Sequence, residues 1–253
     1  MTASERMPSF DPPAPAALVA LGADVRTVMP AQPLWRIHFT AGRYPQAWNG
    51  VRTWGPLASA RWDAHPLPEG EHPEHGAAYL AFDVVTCLAE VFQATRFVDV
   101  HTGSPYITLC EFSRPLKLVD VSGDWLLKAG ARSSIAFGKK SRTRAWARAI
   151  RQAWPDVDGV LSRSAVAGAH ECVTLWSTAD AADAGSVADA GSVASAGSVA
   201  GVADAGSAAD AAGSRAVATF SGAPLSSNPL SSPAIAPNIK AAAESITFSS
   251  NCI

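Results

Sequence analysis

Residues 77–93 read AAYLAFDVVTCLAEVFQ, and the architecture of the chain turns on them. A short apolar run, 77–82, meets Asp83, whose carboxylate suits the capping position at a helix start. Beyond it Val85, Leu88, Ala89 and Phe92 recur at i, i+3, i+4 and i+7, the spacing of one face of an amphipathic helix. A strand running into a capped helix is therefore expected. Glu90 lies one position past the apolar seam, in an otherwise uncharged turn. A carboxylate there is either solvated or aimed into a pocket, and periodicity leaves both readings open.

Working outward, residues 34–39 (LWRIHF) alternate as a strand does, with Arg36 and His38 on the face opposite Trp35 and Ile37. From 40 to 74, Gly, Pro and Trp fall at irregular intervals, which predicts a long loop with short elements at most. Strands are expected at 106–112 and 116–121, joined through Arg114-Pro115, and a short helix within 120–129. SRTRAWARAIRQA at 141–153 reads as a firmer helix. Asp158-Gly159 then turns the chain into a strand at 160–164, with a last strand at 171–176. Helices and strands are interspersed, so the body, 34–177, is α+β or α/β. Residues 1–33, rich in Pro and Ala, read as an arm with one short helix near 16–21.

From 179 the composition changes. DAGSVA at 183–188 recurs at 189–194 and then decays through SAGSVA and DAGSAA. A six-residue period can build a β-helix only if a bulky side chain stacks in every coil, and here a lone Val is offered. Ala, Gly, Ser and Asp cannot offset the entropy of ordering the chain, so 178–253 is expected to be a disordered tail.

The 253-residue chain carries a net charge of −2, so no strong field for DNA or an anionic membrane is expected. All eight Trp lie in the body, which is long enough for a sizeable core. The four cysteines are scattered with no CxxC pair, reading as buried thiols in a reducing compartment. The start lacks the basic and apolar regions of a secretory signal, and no apolar run approaches the roughly 18 residues needed to span a bilayer. A soluble, cytoplasmic protein is the expectation. No Gly-rich phosphate loop, HExxH or GxSxG occurs.

Several polar residues sit where apolar ones would pack better: Arg36 in its strand, Arg61 before Trp62, Tyr79 ahead of the Glu90 helix, and Ser164 at the end of DGVLSRS. Singly, each has an ordinary structural explanation. Together, WRIHF, ARWD, YLAFDVVTCLAEVF with eleven residues from Tyr79 to Glu90, and DGVLSRS resemble the RES family, named for its Arg, Glu and Ser. The resemblance runs from about 34 to 176. Trp35-Arg36 matches the family's aromatic-Arg, Arg61-Trp62-Asp63 its GRWN element, and 158–164 its DGxxYxS strand. Ala60 replaces the Gly of GRWN, Asp63 its Asn, and Ser162 stands at the Tyr of the late strand; the 64–76 segment is longer than the family pattern.

The resemblance implies an α+β, ADP-ribosyltransferase-like RES fold, a mixed and mainly antiparallel sheet flanked by helices. It implies an activity that consumes NAD⁺ as substrate, by hydrolysis or phosphorolysis of the nicotinamide–ribose bond, as the toxin of a toxin–antitoxin pair. Alternatives are a protein ADP-ribosyltransferase and a non-catalytic RES-like interaction module. By the same resemblance Glu90, Arg36 and Ser164 would be catalytic and Arg61, Tyr79 and Ser141 would contact NAD⁺, with Ser141 an alternative to Ser164 as the functional serine; Arg52 stands in reserve as a further arginine for the pyrophosphate. A carboxylate suits an oxocarbenium-like transition state, and the planar fork of arginine suits a pyrophosphate. The implied partner is a helix-turn-helix antitoxin, with nucleic acid reached only through it.

Two other clusters compete. His65, His72 and His75 crowd one loop, but their spacing matches no standard metal site, so no metal is expected. Arg144, Arg148 and Arg151 share a helix face at i, i+4 and i+7, read as solvated or as a dock for an acidic partner.

Overall fold

A computed structural model describes residues 9–176, 214–216 and 220–252. The repeats at 183–194 lie outside the described residues. The elements run α1 (Pro15–Leu21), β1 (Val25–Val28), β2 (Leu34–Phe39), β3 (Gly50–Arg52), β4 (Trp54–Gly55), β5 (Gly70–Glu71), β6 (Ala77–Ala81) and α2 (Val84–Phe92). There follow β7 (Phe97–Val98), β8 (Pro105–Cys110), β9 (Leu116–Asp120), α3 (Trp125–Lys128), α4 (Lys140–Ala153), β10 (Gly159–Arg163) and β11 (Glu171–Trp176). The last are β12 (Ser214–Ala216), β13 (Ser226–Pro229), α5 (Ala236–Ser245) and β14 (Ser249–Ser250).

One ten-stranded sheet organises the chain, in the order β1-β9-β10-β11-β6-β2-β8-β13, with β3 joining β6 and β12 off that path. Its pairings are antiparallel except β9 with β10, so the fold is α+β with a mixed, mainly antiparallel sheet. Asp83 caps α2 as expected, accepting from the Thr86 amide at 2.7 Å.

The sheet splits at β6. Its Ala81 end pairs with β2 through Trp35, whereas its Ala77 end pairs with β3 through Arg52. Directly opposed residues share a face. The registers therefore put Val119, Val160, Ser162, Thr174, Tyr79, Trp35 and Ile37 on one face, and Leu118, Leu161, Val173, Leu80, Leu34 and Arg36 on the other. The first face carries two separate helical clusters. In one, Trp146 and Ile150 of α4 pack with Trp125, Leu18 and Val160. In the other, Leu88 and Phe92 of α2 pack with Ile239 and Ala243 of α5. The opposite face holds a third cluster around Leu80, Leu118, Leu161 and Leu175. Each large side chain buried this way contributes about 1.5–3 kcal/mol.

Two expectations change. The 1–33 arm is more than a lead-in: β1 is an edge strand on β9, and Phe10 is anchored by the Trp146 indole, which donates to its carbonyl at 3.0 Å. The disorder expected throughout 178–253 does not extend over 220–252. There β13 adds to the free edge of β8, and Leu230, Ile239 and Phe248 are buried against α2 and β8. Pro and Ser clusters disguised a segment whose few apolar residues find a ready-made surface; edge pairing needs backbone, not side chains.

Candidate active site

A cleft of about 320 Å³ opens on the helical face between the α4 cluster and the α2 cluster. Its floor is sheet: Tyr79 of β6, Thr174 of β11 and Ser162 of β10. Its walls are α2, bearing Glu90, and the 57–62 segment with Arg61, while Lys140 stands at the start of α4.

Glu90 is held at one oxygen. Its Oε1 accepts from the Ser164 hydroxyl at 2.6 Å and from the Ala165 amide at 3.0 Å, whereas among the described residues Oε2 has only a 3.5 Å contact from Gln93. Bonds of this kind to an ionised carboxylate are short and strong. Ser164, 1% exposed, is itself fixed, because its Oγ accepts from the Val166 and Ala167 amides at 3.2 and 2.8 Å. The serine thus lies behind the carboxylate, and Glu90 faces the cleft.

Across the floor stands a second network. Arg52 donates from Nη2 to Asp63 Oδ2 at 2.8 Å and to the Tyr79 hydroxyl at 3.3 Å, and from Nη1 to the Trp54 carbonyl. Asp63 is fully buried and accepts also from the Leu57 and His65 amides and from His65 Nδ1. Burial alone would raise its pKa; the His65 hydrogen bond and the Arg52 charge outweigh it and hold the carboxyl well below the usual range. Burial of the Tyr79 hydroxyl end and the Asp63 charge push that phenol up. The Tyr79 residue is 38% exposed, leaving its ring open to the cleft.

Arg61 reaches from its wall to the Gly138 carbonyl at 2.8 Å, and its buried Nε has no partner among the described residues. Burial lowers its pKa, opposed by the Glu90 charge. Lys140 donates to the Ser59 carbonyl at 2.6 Å; burial and the Arg61 charge lower it, and Glu90 raises it. Glu90, Arg61 and Lys140 thus feel one another across the opening.

The geometry brings together Glu90, Ser164, Arg61, Arg52 and Tyr79. Arg36 stands apart from them. It lines the cleft's edge but points to the opposite face, donating to the Trp48 and Gly50 carbonyls at 2.7 and 2.6 Å and to Gln46 Oε1 at 3.1 Å. Burial brings its pKa down to about 10. Ser141 is exposed at the start of α4 and is not among the residues lining the cleft. Lys140 and Asp63 join the site although the sequence reading gives neither a place in it: Asp63 enters there only as a departure from the GRWN element, and Lys140 only as part of the basic run that opens α4. A Lys beside Ser141 and an Asp in the ARWD motif were the available signals.

A family model for the RES domain matches residues 33–195. The chain belongs to the RES domain family. Glu90 and Ser164, two of the residue types that give the RES family its name, are therefore in direct contact here. Among solved structures, the RES chain described here is similar to one in the M. tuberculosis MbcT–MbcA toxin–antitoxin complex, at 18% identity, covering 62% of this chain and 78% of that chain, with a TM-score of 0.42. No curated protein matches the sequence. Among the described residues of this RES protein no helix is long and apolar enough to cross a membrane, and no group of three His, Cys, Asp or Glu is arranged to hold a metal ion.

Proposed function

We propose that this cleft binds NAD⁺ and that Glu90 drives cleavage of its nicotinamide–ribose bond. The observation that carries the reading is the Glu90 carboxylate: one oxygen is fixed by Ser164 and Ala165, and the other faces a cleft flanked by Arg61 and Lys140. As the C1′–N bond breaks, nicotinamide leaves with the electron pair and positive charge grows on the ribose. A preorganised carboxylate lowers the energy of that charge more than it lowers the ground state. Water, which releases a proton to solvent, or an anionic oxygen of inorganic phosphate then attacks C1′ and forms the new C–O bond.

The other assignments follow from chemistry and position. Arg61 and Lys140 supply positive charge for the pyrophosphate. The Tyr79 ring offers an apolar plate for the nicotinamide, and Arg52, fixed by Asp63, holds its hydroxyl end. Ser164 orients Glu90 and does not meet the substrate. Arg36 shapes the wall by tethering residues 46–50. Membership of the RES family supports a cytoplasmic toxin restrained by a helix-turn-helix antitoxin.

The test is NAD⁺ consumption by purified protein freed of any inhibitor, followed by NMR so that the products are identified. Free nicotinamide with ADP-ribose means hydrolysis, and ADP-ribose 1″-phosphate means phosphorolysis. Radiolabel passing from NAD⁺ into protein would instead reveal an ADP-ribosyltransferase. NAD⁺ left intact over hours, together with growth arrest that survives Glu90→Ala, would replace this proposal with a non-catalytic interaction module.

A further inference from the structure

At one end of the sheet β1 pairs with β9 and with no other described strand. The register sets Val25 opposite Val119 and Arg26 opposite Leu118, and the Asp120 amide donates to the Asp24 carbonyl at 2.7 Å. Asp24, Arg26 and Val28 therefore exchange the backbone hydrogen bonds with β9, and the N–H and C=O groups of Val25 and Thr27 point away from the sheet. Residues 24–27 are all exposed. Free edges are ordinarily blunted by Pro, a bulge or a projecting charge. VRTV has no Pro, and its register on β9 runs unbroken. Its one charge is folded back, Arg26 Nη1 lying 2.7 Å from Glu171 and 3.9 Å from Asp120.

Apolar side chains flank this edge: Val25 is 45% exposed, Leu21 before it 43% and Met29 after it 54%. The charges select what covers them. Asp24 makes no ion pair among the described residues and stands two positions from Arg26. If the strand lies antiparallel to a second copy of itself with the twofold axis at Val25, Asp24 of each copy falls directly opposite Arg26 of the other. That is a non-hydrogen-bonded pair, the kind whose side chains come closer, while the outward groups of the two Val25 residues bond to each other. Each guanidinium spends only Nη1 on its own chain, so its other nitrogens remain for the carboxylate. The same register carries Met29 of each copy toward Leu21 of the other. The alternatives fit worse. An axis at Arg26 sets Arg26 against Arg26, and like charges directly opposite are destabilising. An axis at Thr27 sets Arg26 against Val28 and leaves Asp24 without a cation.

We propose that β1 is a homodimerisation edge, through which two copies of the chain join antiparallel about Val25, with a reciprocal Asp24–Arg26 ion pair on either side of the axis. The two sheets become one. The contact is isologous, so it closes as a dimer and does not propagate. None of its residues lines the cleft, which makes the contact independent of the activity proposed above.

Sedimentation equilibrium of the full-length protein is the experiment, and a reversible monomer–dimer equilibrium is expected, weakened by salt because the ion pairs are exposed. Asp24→Lys turns both attractive pairs into like-charge pairs and should raise the dimer dissociation constant by about tenfold or more. Val25→Pro deletes the outward N–H at the axis, at an edge position where Pro is tolerated, and should leave a folded monomer. Cysteine variants read the register. A short bis-alkylating thiol reagent should join two copies of Val25→Cys, with the native chain as the blank. It should not join Thr27→Cys, whose two sites lie about 13 Å apart along the strands. A chain that stays monomeric at every concentration overturns the proposal and leaves the edge to a strand of another protein. A dimer indifferent to Asp24→Lys and Val25→Pro also overturns it, as does cross-linking through Thr27→Cys and not through Val25→Cys.

Discussion

Glu90 and Ser164 stand 74 residues apart in the chain and 2.6 Å apart in space, hydroxyl to carboxylate. The serine holds one oxygen of the glutamate from behind and leaves the other to the cleft. Glu90→Gln keeps an oxygen for Ser164 and Ala165 to donate to but removes the charge. We expect an unchanged fold by circular dichroism and a loss of NAD⁺ consumption of about 10²–10³-fold, the range for removing a preorganised electrostatic group.

Ser164→Ala separates orientation from charge. It strips Glu90 of one donor and leaves the Val166 and Ala167 amides without their acceptor. Val166 is exposed and Ala167 half-buried, so their amides can turn to water; the lost charge-assisted bond to Glu90 should lower the urea midpoint by the equivalent of about 1 kcal/mol. NAD⁺ turnover should drop roughly tenfold, equivalent to about 1.4 kcal/mol, and less than for Glu90→Gln. Equal losses in the two variants would show that the serine meets the substrate.

Asp63 gives the site a pH signature. Its carboxyl is held below the ordinary carboxylate pKa, so it takes up a proton more readily when unfolded than when folded. Its contribution to stability is therefore complete above the unfolded pKa of about 4 and is lost as pH falls below that value. Urea midpoints measured from pH 6 to pH 3 should decline, and Asp63→Asn should flatten that part of the curve. At neutral pH the same variant should lose about 3–5 kcal/mol, because it leaves Arg52 without its partner.

The C-terminal segment should matter to stability although it is remote in sequence from the body. Leu230 is fully buried in the cluster shared by α2 and α5, so Leu230→Ala should cost about 2–5 kcal/mol in chemical denaturation. Deleting residues 220–253 bares the β8 edge and the apolar face of α2. That truncated chain should aggregate, detectable by light scattering, since an exposed edge strand templates further pairing.

The strand-cap-helix unit at 77–93 was readable because its signals are local: Asp83 sits on the amide it was expected to cap, and Leu88, Ala89 and Phe92 face inward. α4 and the strands at 159–163 and 171–176 were legible for the same reason. Partnerships across the chain were not. Nothing local in Arg144, Arg148 and Arg151 distinguishes a solvated stripe from one that, like Arg144, reaches the carbonyls of a neighbouring segment. Nor does the alternation of LWRIHF say which face is core; Arg36 and His38 are on the buried side, at 3% and 5% exposure. Nothing local separates Ser141 from Ser164 either; it is the fold that brings Ser164, and not Ser141, against Glu90. In the C-terminal segment the deciding factor was a vacant sheet edge supplied from over a hundred residues away.

Arg36 starts on β2 and ends on the carbonyl of Gly50, the first residue of β3. Those are the two strands that part company along β6. The guanidinium is thus a crossbar over a gap that no backbone ladder closes, and it sets the aperture of the cleft from the reverse side of the sheet. The wall of the cleft is then braced by a side chain that works as a strut. A lysine there could span only one of the three acceptors at a time, and the opening would lose its fixed gauge.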